Sequence, residues 1–253
     1  MRKFTVLFAL LLSVVMVQTA FAETLTVFAA ASMQAAMEKI GNLYTESNPS
    51  VEITYNFDSS GTLKTQIEEG AECDLFISAA QKQMNALEKL NLIDKSTRIN
   101  LLENKVVLVV PEGNPANITS FTDISSGRLH LIALGNSDVP VGAYSQEILE
   151  NMGIWDKLNS EGKISFTSNV TETAMQVREG AADCGIIYAT DAATHKLNVV
   201  AEPPAGTLKT PVIYPAAVLS GSKHSERASD FLNFLKGSEA REIFASIGFT
   251  PAK

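Results

Sequence analysis

Four short segments of the chain place a hydroxyl or a small residue where a helical pattern begins. They are centred on Ser32, Ser60, Val141 and Val170. The first turn of a helix carries unpaired N–H groups and a partial positive charge, so several such turns aimed at one point can bind an oxyanion without lysine or arginine. Taken singly, each segment is better explained as a helix cap. Their repetition, together with the Tyr188 phenol at the end of an apolar strand pattern, favours an anion site.

Other site chemistries have little support in the sequence. No phosphate-binding P-loop, nucleophile elbow or metal-ligand spacing is found. We therefore expect no metal-cation site and no catalytic residue. One enzymatic alternative stays open, a secreted α/β hydrolase that uses Ser32 or Ser60 as its nucleophile, with a base assembled in space. The histidines, which have no spaced partners, are His130, His195 and His224.

The N-terminus is typical of a secretory signal peptide. Arg2 and Lys3 precede an apolar run over residues 4–17, and residues 20–22 form an A-x-A cleavage site. Residues 1–22 are therefore predicted to be removed, so that the mature chain begins at Glu23. The apolar run is too short for a membrane anchor, and no cysteine follows it to carry a lipid.

Composition bounds the remaining possibilities. The chain has 253 residues, of which 45% are hydrophobic and 19% charged, enough for one large or two modest domains. Its net charge is −8, and loss of the two basic residues of the signal peptide makes it −10. This acidity argues against a nucleic-acid partner. An anion site on such a protein must depend on local dipoles.

Strand patterns alternate with helical patterns along the mature chain, which predicts an α/β fold with parallel strands covered by helices. The predicted strands are residues 25–31, 51–57, 74–78, 106–110, 129–134, 164–166, 185–188 and 212–219. The predicted helices are residues 33–44, 63–69, 81–90, 143–152, 171–179, 225–235 and 238–247.

A weak internal repeat indicates two lobes of similar architecture. Residues 69–78 and 179–188 each run from a helix end through a glycine and a small acidic turn into a buried strand. The repeat places Cys73 and Cys184 at similar points of different lobes. We therefore predict that the two cysteines are unpaired and buried, although export would permit a disulfide.

Several motifs resemble those of a known family. In the first lobe they are residues 27–32, 59–63 and 74–79. In the second they are residues 140–142 before Tyr144, residues 185–188, and residues 190–192, and residues 243–244 and 248–249 also match. On these residues the mature chain resembles the periplasmic molybdate-binding proteins of ABC importers.

The resemblance implies a two-lobed type II periplasmic binding protein fold with the ligand cleft between the lobes. Lobe 1 would comprise residues 23–103 and 216–253, and lobe 2 residues 104–215, with crossings near residues 102–105 and 213–216. It also implies the site. Ser32 and Ser60 would contribute hydroxyls and N–H groups, Val141 and Val170 only main-chain N–H groups, and Tyr188 its hydroxyl. The metal would enter only as the oxyanion held by these five residues.

The implied function is capture of molybdate, and also of tungstate, in the periplasm and delivery to a membrane ABC permease. On this interpretation the protein is a monomer, has no cofactor and is not an enzyme. A carrier for another tetrahedral oxyanion such as sulfate is the alternative of the same fold. Selection against sulfate would come from cleft size, because the two anions share shape and charge.

Overall fold

The computed structural model describes residues 23–252, so the predicted signal peptide lies outside the described residues. Within this range the strands are β1 (Glu23–Ala30), β2 (Val51–Asp58), β3 (Leu75–Ile77), β4 (Ile99–Glu103), β5 (Val106–Val110), β6 (Ile132–Gly135), β7 (Ile164–Thr167), β8 (Cys184–Tyr188), β9 (Asn198–Ala201), β10 (Ile213–Val218) and β11 (Thr250–Pro251). The helices are α1 (Gln34–Ser47), α2 (Ser60–Glu68), α3 (Gln81–Lys89), α4 (Pro140–Asn151), α5 (Trp155–Ser160), α6 (Val170–Arg178), α7 (Ala189–Thr194), α8 (Ser225–Leu235) and α9 (Ser238–Ile247).

The first sheet has the strand order β11-β4-β10-β3-β1-β2. Strand β1, next to the edge strand β2, is apolar and mostly buried, and it pairs in parallel with both β2 and β3. The register places Ala30 opposite Asp58 and Ala29 opposite Ile77. The chain segments that follow these three strands therefore emerge side by side at one edge of the sheet.

The second sheet has the order β7-β6-β8-β5-β9. Strand β6 pairs in parallel with β7 and β8, and Gly135 lies opposite Thr167. The fully buried strand β5 runs antiparallel to β8, with Val106 opposite Tyr188. The carboxyl ends of β6, β7 and β8 thus share one edge, from which α4, α6 and α7 start. The predicted α/β fold class with two lobes is confirmed.

The chain passes between the sheets twice. It leaves the first sheet after β4 and enters the second at β5, so the first crossing is at Asn104 and Lys105. It leaves the second sheet after β9 and returns at β10. The ladder between β10 and β4 begins at Ile213, so residues 213–215 pair in the first sheet, whereas the sequence analysis assigns them to the second lobe. Helices α8 and α9 pack back onto the first lobe, against β10 and α1.

Both cysteines are free and buried, as predicted. Cys73 packs in the first lobe, where its thiol donates to the Leu75 carbonyl at 3.3 Å, and Cys184 is buried in β8. Burial raises the pKa of both thiols, which keeps them protonated and unreactive.

Several predicted bounds were wrong at their starts. The helices expected to start at residues 63, 143 and 171 start earlier, at Ser60, Pro140 and Val170, because the polar or proline-containing turn before each is already helical. The strand predicted over residues 129–134 is Ile132–Gly135, since residues 126–129 form a turn.

Candidate functional site

A small cavity lies where the carboxyl edges of the two sheets face each other. Each predicted site residue lines it: Ser32, Ser60, Val141, Val170 and Tyr188. The cavity is completed by Ala30, Ala31, Asp58, Ser59, Ala79, Val139 and Pro140. The fold therefore brings together residues that are separated by up to 156 positions in the sequence.

Ser32 lies in a short 3-10 turn, residues 31–33, between β1 and α1. The sequence analysis made it the cap of the following helix, and this was wrong: Met33 holds the cap position of α1, and no side chain caps it. The 3-10 turn displaces the helix start by one residue, from residue 33 to Gln34. The Ser32 hydroxyl instead lies 2.9 Å from the hydroxyl of the buried Tyr214.

Ser60 is the first residue of α2, and the preceding Ser59 is its cap. The Ser59 hydroxyl accepts from the Thr62 N–H at 3.1 Å, which satisfies one free donor of the helix start. The Ser60 hydroxyl oxygen accepts from the Ala79 N–H at 2.9 Å. Because this bond occupies an acceptor position, the Ser60 hydroxyl proton stays available to a ligand.

Val141 and Val170 occupy the first turns of α4 and α6. Pro140 starts α4, and Asn169 caps α6 by accepting from the Glu172 N–H at 3.0 Å. No acceptor among residues 23–252 bonds the N–H of Val141 or Val170, as expected of first-turn amides. Both valines are buried, so the groups that they can offer to the cavity are these amides.

Tyr188 is the last residue of β8, as the apolar strand pattern predicts. Its ring is buried between those of Tyr144 and Tyr214, and its hydroxyl donates to the Ala79 carbonyl at a long 3.5 Å. Burial raises the pKa of Tyr188 well above its ordinary value. The phenol therefore stays neutral and acts as a hydrogen-bond donor.

The electrostatics of the cavity depend on neutral dipoles. Among the described residues that line it, the only charged side chain is Asp58, whose Oδ1 accepts from the Ser59 N–H at 2.7 Å. The starts of α2, α4 and α6 all reach the cavity, and their partial positive charges favour an anion. A small oxyanion suits this donor set.

Comparison with known proteins agrees with this geometry. The family described as bacterial extracellular solute-binding protein matches residues 25–250. The chain belongs to this family. It is 38% identical over 229 residues to a putative ABC transporter substrate-binding lipoprotein, YvgL, of Bacillus subtilis, covering 90% of this chain and 86% of the relative.

Other proteins that the chain resembles are named molybdate-binding proteins. It is 38% identical over 235 residues to the molybdate-binding protein ModA of Escherichia coli, covering 89% of this chain and 88% of the relative. The solved periplasmic molybdate-binding protein of Azotobacter vinelandii superposes with a TM-score of 0.80 at 22% identity, covering 90% of this chain and all of that one. The latter likeness shows the shared two-lobed fold.

Three residues that the sequence analysis did not assign to the site lie in or next to this cavity. Asp58 is the last residue of β2 and Ala79 lies two residues beyond β3, so their positions could be read from the strand ends. Tyr214 reaches Ser32 only through the antiparallel placement of β10 between β3 and β4. That pairing spans 182 positions, and no local pattern signals it.

A larger cavity, of about 440 Å³, lies at the opposite edge of the first sheet. It contains none of the predicted site residues. Both carboxylate oxygens of its buried Asp74 have partners, Oδ2 the Thr26 N–H at 2.8 Å and Oδ1 the Ser222 hydroxyl at 2.6 Å. This buried carboxylate is thus already satisfied within the protein.

Two further findings concern the described part of the chain. Residues 23–252 contain no cluster of three or more His, Cys, Asp or Glu side chains able to hold a metal ion. None of the helices in this range is long and apolar enough to cross a membrane.

Proposed function

We propose that this protein captures molybdate, and also tungstate, in the interlobe cavity. The observation that carries the proposal is the convergence of neutral donors from both lobes on one small cavity with no basic side chain in its lining. Relatives that are named molybdate-binding proteins, at up to 38% identity over nearly the whole chain, support the choice of ligand.

Each donor has a distinct part in the proposed complex. Ser32 and Ser60 donate hydroxyl protons from the first lobe, and Tyr188 donates its phenol proton from the second. Val141 and Val170 donate main-chain N–H groups. Hydrogen bonds to a charged acceptor are stronger than neutral ones, so the dianion is held without a counter-charge.

The proposal excludes a hydrolytic role for the two serines. A serine nucleophile needs an adjacent base to take its proton. In the described part of the chain, the Ser32 hydroxyl bonds only Tyr214, and the Ser60 hydroxyl bonds only the Ala79 N–H. Neither partner is a base, so we infer a binding protein and not an enzyme.

We further propose that the protein works in the periplasm as a monomer. Residues 1–22 would direct export, and the loaded protein would deliver its ligand to a membrane ABC permease. Closure of the two lobes on the anion would give the permease a shape to recognise. No cofactor takes part.

Titration calorimetry of residues 23–253 with molybdate, tungstate and sulfate tests this function. We expect micromolar or tighter binding of the first two anions and much weaker binding of sulfate. A thermal-shift series gives an independent reading, because a ligand that binds only the folded state raises the melting temperature. Equal responses to sulfate and molybdate would favour a general oxyanion carrier, and no response to any anion would refute the proposal.

The enzymatic alternative has its own test. A serine-reactive phosphonate probe should leave Ser32 and Ser60 unlabelled in intact-mass analysis. Labelling of either residue would restore the hydrolase interpretation.

A further inference from the structure

A chain of hydrogen bonds leads from the hinge between the lobes to Ser32. The Asn104 amide nitrogen donates to the Tyr214 hydroxyl at 3.2 Å and to the Thr190 hydroxyl at 2.8 Å. The Tyr214 hydroxyl lies 2.9 Å from that of Ser32. Asn104 and Tyr214 belong to the two crossing segments, and Thr190 follows Tyr188 in the second lobe.

The hydrogen-bond partners fix the direction of this chain. The Lys105 N–H donates to Asn104 Oδ1 at 2.8 Å, so the other side-chain atom of Asn104 is its NH₂ group. Tyr214 therefore accepts from Asn104. That leaves the Tyr214 proton free to be donated to the Ser32 oxygen, 2.9 Å away.

Tyr214 is suited to this role by its burial. The side chain is fully buried, and burial raises its pKa well above the ordinary value, so the phenol remains a donor at physiological pH. Tyr214 does not line the anion cavity. Its hydroxyl reaches the cavity through the bond to Ser32, while its ring packs against Tyr188.

We propose that Tyr214, held by Asn104, is a positioning residue that directs the Ser32 hydroxyl proton toward the bound oxyanion. The Tyr214 proton occupies an acceptor position of the Ser32 oxygen, so the Ser32 proton turns to the cavity. Each bond in such a chain polarises the next, which strengthens the last donor. The Ala79 N–H likewise donates to the Ser60 oxygen, which leaves the Ser60 proton for the cavity.

The relay also joins the site to the hinge. Asn104 bonds Thr190 of the second lobe and Tyr214 of the first sheet with the same NH₂ group. Both bonds depend on the angle between the lobes. The Ser32 donor is thus fully oriented only when the lobes are in the arrangement seen here, and binding and closure favour each other.

This inference rests on the proposed function, and a double-mutant cycle measured by calorimetry tests it. Tyr214→Phe keeps the ring and removes the hydroxyl. We expect it to weaken molybdate binding about 3- to 10-fold, the usual effect of one lost hydrogen bond. In the Ser32→Ala background, the same Tyr214→Phe change should alter the affinity less than about twofold, because the residue through which it acts is gone.

A matched control removes a comparable phenol bond away from the cleft. The Tyr55 hydroxyl donates to the Met37 carbonyl at 2.9 Å within the first lobe. Tyr55→Phe should lower the melting temperature but leave the molybdate affinity within about twofold. Asn104→Ala, at a half-buried hinge position, tests the same relay without disturbing the buried ring and should also weaken binding only when Ser32 is present.

The outcomes separate the relay from the function. Equal losses from Tyr214→Phe in both backgrounds would show a general structural role and overturn the relay, as would full affinity in Tyr214→Phe and Asn104→Ala. If the wild-type protein gave no heat with molybdate or tungstate, the proposed function and the relay would both be overturned. Coupling confined to the Ser32-containing background supports both.

Discussion

At the scale of single residues, the two serine hydroxyls of the cavity share one arrangement. The Ser60 oxygen accepts from the Ala79 N–H, and on the relay proposed above the Ser32 oxygen likewise accepts from Tyr214, so that each proton is left for the ligand. The Tyr188 hydroxyl donates to the Ala79 carbonyl at a long distance of 3.5 Å. A ligand therefore accepts hydrogen bonds from these three hydroxyls without first breaking a strong hydrogen bond within the protein.

The first prediction concerns the loss of single donors. Ser32→Ala and Tyr188→Phe should each weaken molybdate binding by about 1–3 kcal/mol, the cost of losing a hydrogen bond to a charged group. That is about a 5- to 150-fold rise in Kd, measured by calorimetry. Val170→Ala is the control, because only the Val170 amide faces the ligand, and its affinity should change little. Wild-type affinity in both of the first two variants would refute the site.

A second residue-scale feature is Asp191, on α7 three positions after Tyr188. Its side chain is 3% exposed, and its Oδ2 has no hydrogen-bond partner within residues 23–252. It borders a second interlobe cavity together with Ser32, Glu38 and His195. Burial raises the pKa of Asp191 to about 7, although bonds from the Thr190 hydroxyl and its own amide oppose the rise.

The second prediction is a pH dependence of stability that comes from Asp191. Its pKa is higher in the folded state, about 7, than the ~3.9 of an unfolded aspartate, so the folded state binds the extra proton. The stability it contributes is therefore present below about pH 4 and is lost as the pH rises to about 7. The loss is on the order of 4 kcal/mol. Chemical unfolding measured between pH 4 and 7 should show no such fall in the unfolding free energy of Asp191→Asn.

His195 provides the control for that slope. Burial, with a smaller contribution from Arg178, lowers the pKa of His195, so its contribution to stability has the opposite sign and is lost as the pH falls. His195→Gln should therefore keep the Asp191 slope between pH 4 and 7. If Asp191→Asn retained the wild-type slope and His195→Gln abolished it, the assignment to Asp191 would be wrong.

At the scale of elements, helix starts position the amide donors. Asn169 fixes the start of α6, and thereby the Val170 N–H, by accepting from the Glu172 N–H. It also donates to Asp58 of the first lobe at 3.4 Å. Ser120, the N-cap residue of a 3-10 turn at Phe121–Ser125, donates its hydroxyl to the Asp123 carboxylate at 3.1 Å and does not line the cavity.

The third prediction compares these two caps. Asn169→Ala and Ser120→Ala should each cost about 1 kcal/mol of unfolding free energy, as lost caps usually do. Only Asn169→Ala should also weaken molybdate binding, because only its helix presents an amide to the cavity. Urea unfolding and calorimetry on the same preparations make the comparison. Equal affinities in the two variants would mean that the cap does not position the Val170 amide.

The elements also show what the sequence could and could not predict. The α8 and α9 bounds and the β5 bounds agree with prediction to the residue, because strong amphipathic or apolar patterns end at clear breaks. Strand β9 was missed because its residues are half or fully exposed and lack alternation.

The five site residues came together as expected, since each follows from a junction pattern and a family resemblance. Tyr214 was missed because its contact with Ser32 depends on long-range strand pairing.

At the scale of the whole molecule, the two lobes touch closely around the cavity. The Asp58–Asn169 contact and the bonds of Tyr144 and Tyr188 to the Ala79 carbonyl cross from one lobe to the other. Gly61, beside Ser60, allows the closest approach. A Cβ atom at Gly61 would lie 2.2 Å from the Asp138 carbonyl oxygen of the second lobe.

The fourth prediction uses this contact to test whether closure is needed for binding. Gly61→Ala places a methyl group between α2 and the backbone that precedes α4, so the lobes cannot meet as they do here. The donors of the second lobe would then stand away from Ser32 and Ser60, and we expect molybdate affinity to fall at least about 10-fold, the effect of one lost charged hydrogen bond. Ligand-free stability should change little, because alanine suits a helix better than glycine.

Small-angle X-ray scattering completes this test. The wild-type radius of gyration should fall when molybdate is added, whereas that of Gly61→Ala should stay constant. Gly127→Ala is the control, because a Cβ at Gly127 meets nothing within 4 Å, and it should bind and close like the wild type. Wild-type affinity and compaction in Gly61→Ala would show that donors of one lobe suffice. The cavity would then be a surface of the first lobe and not a cleft formed by both.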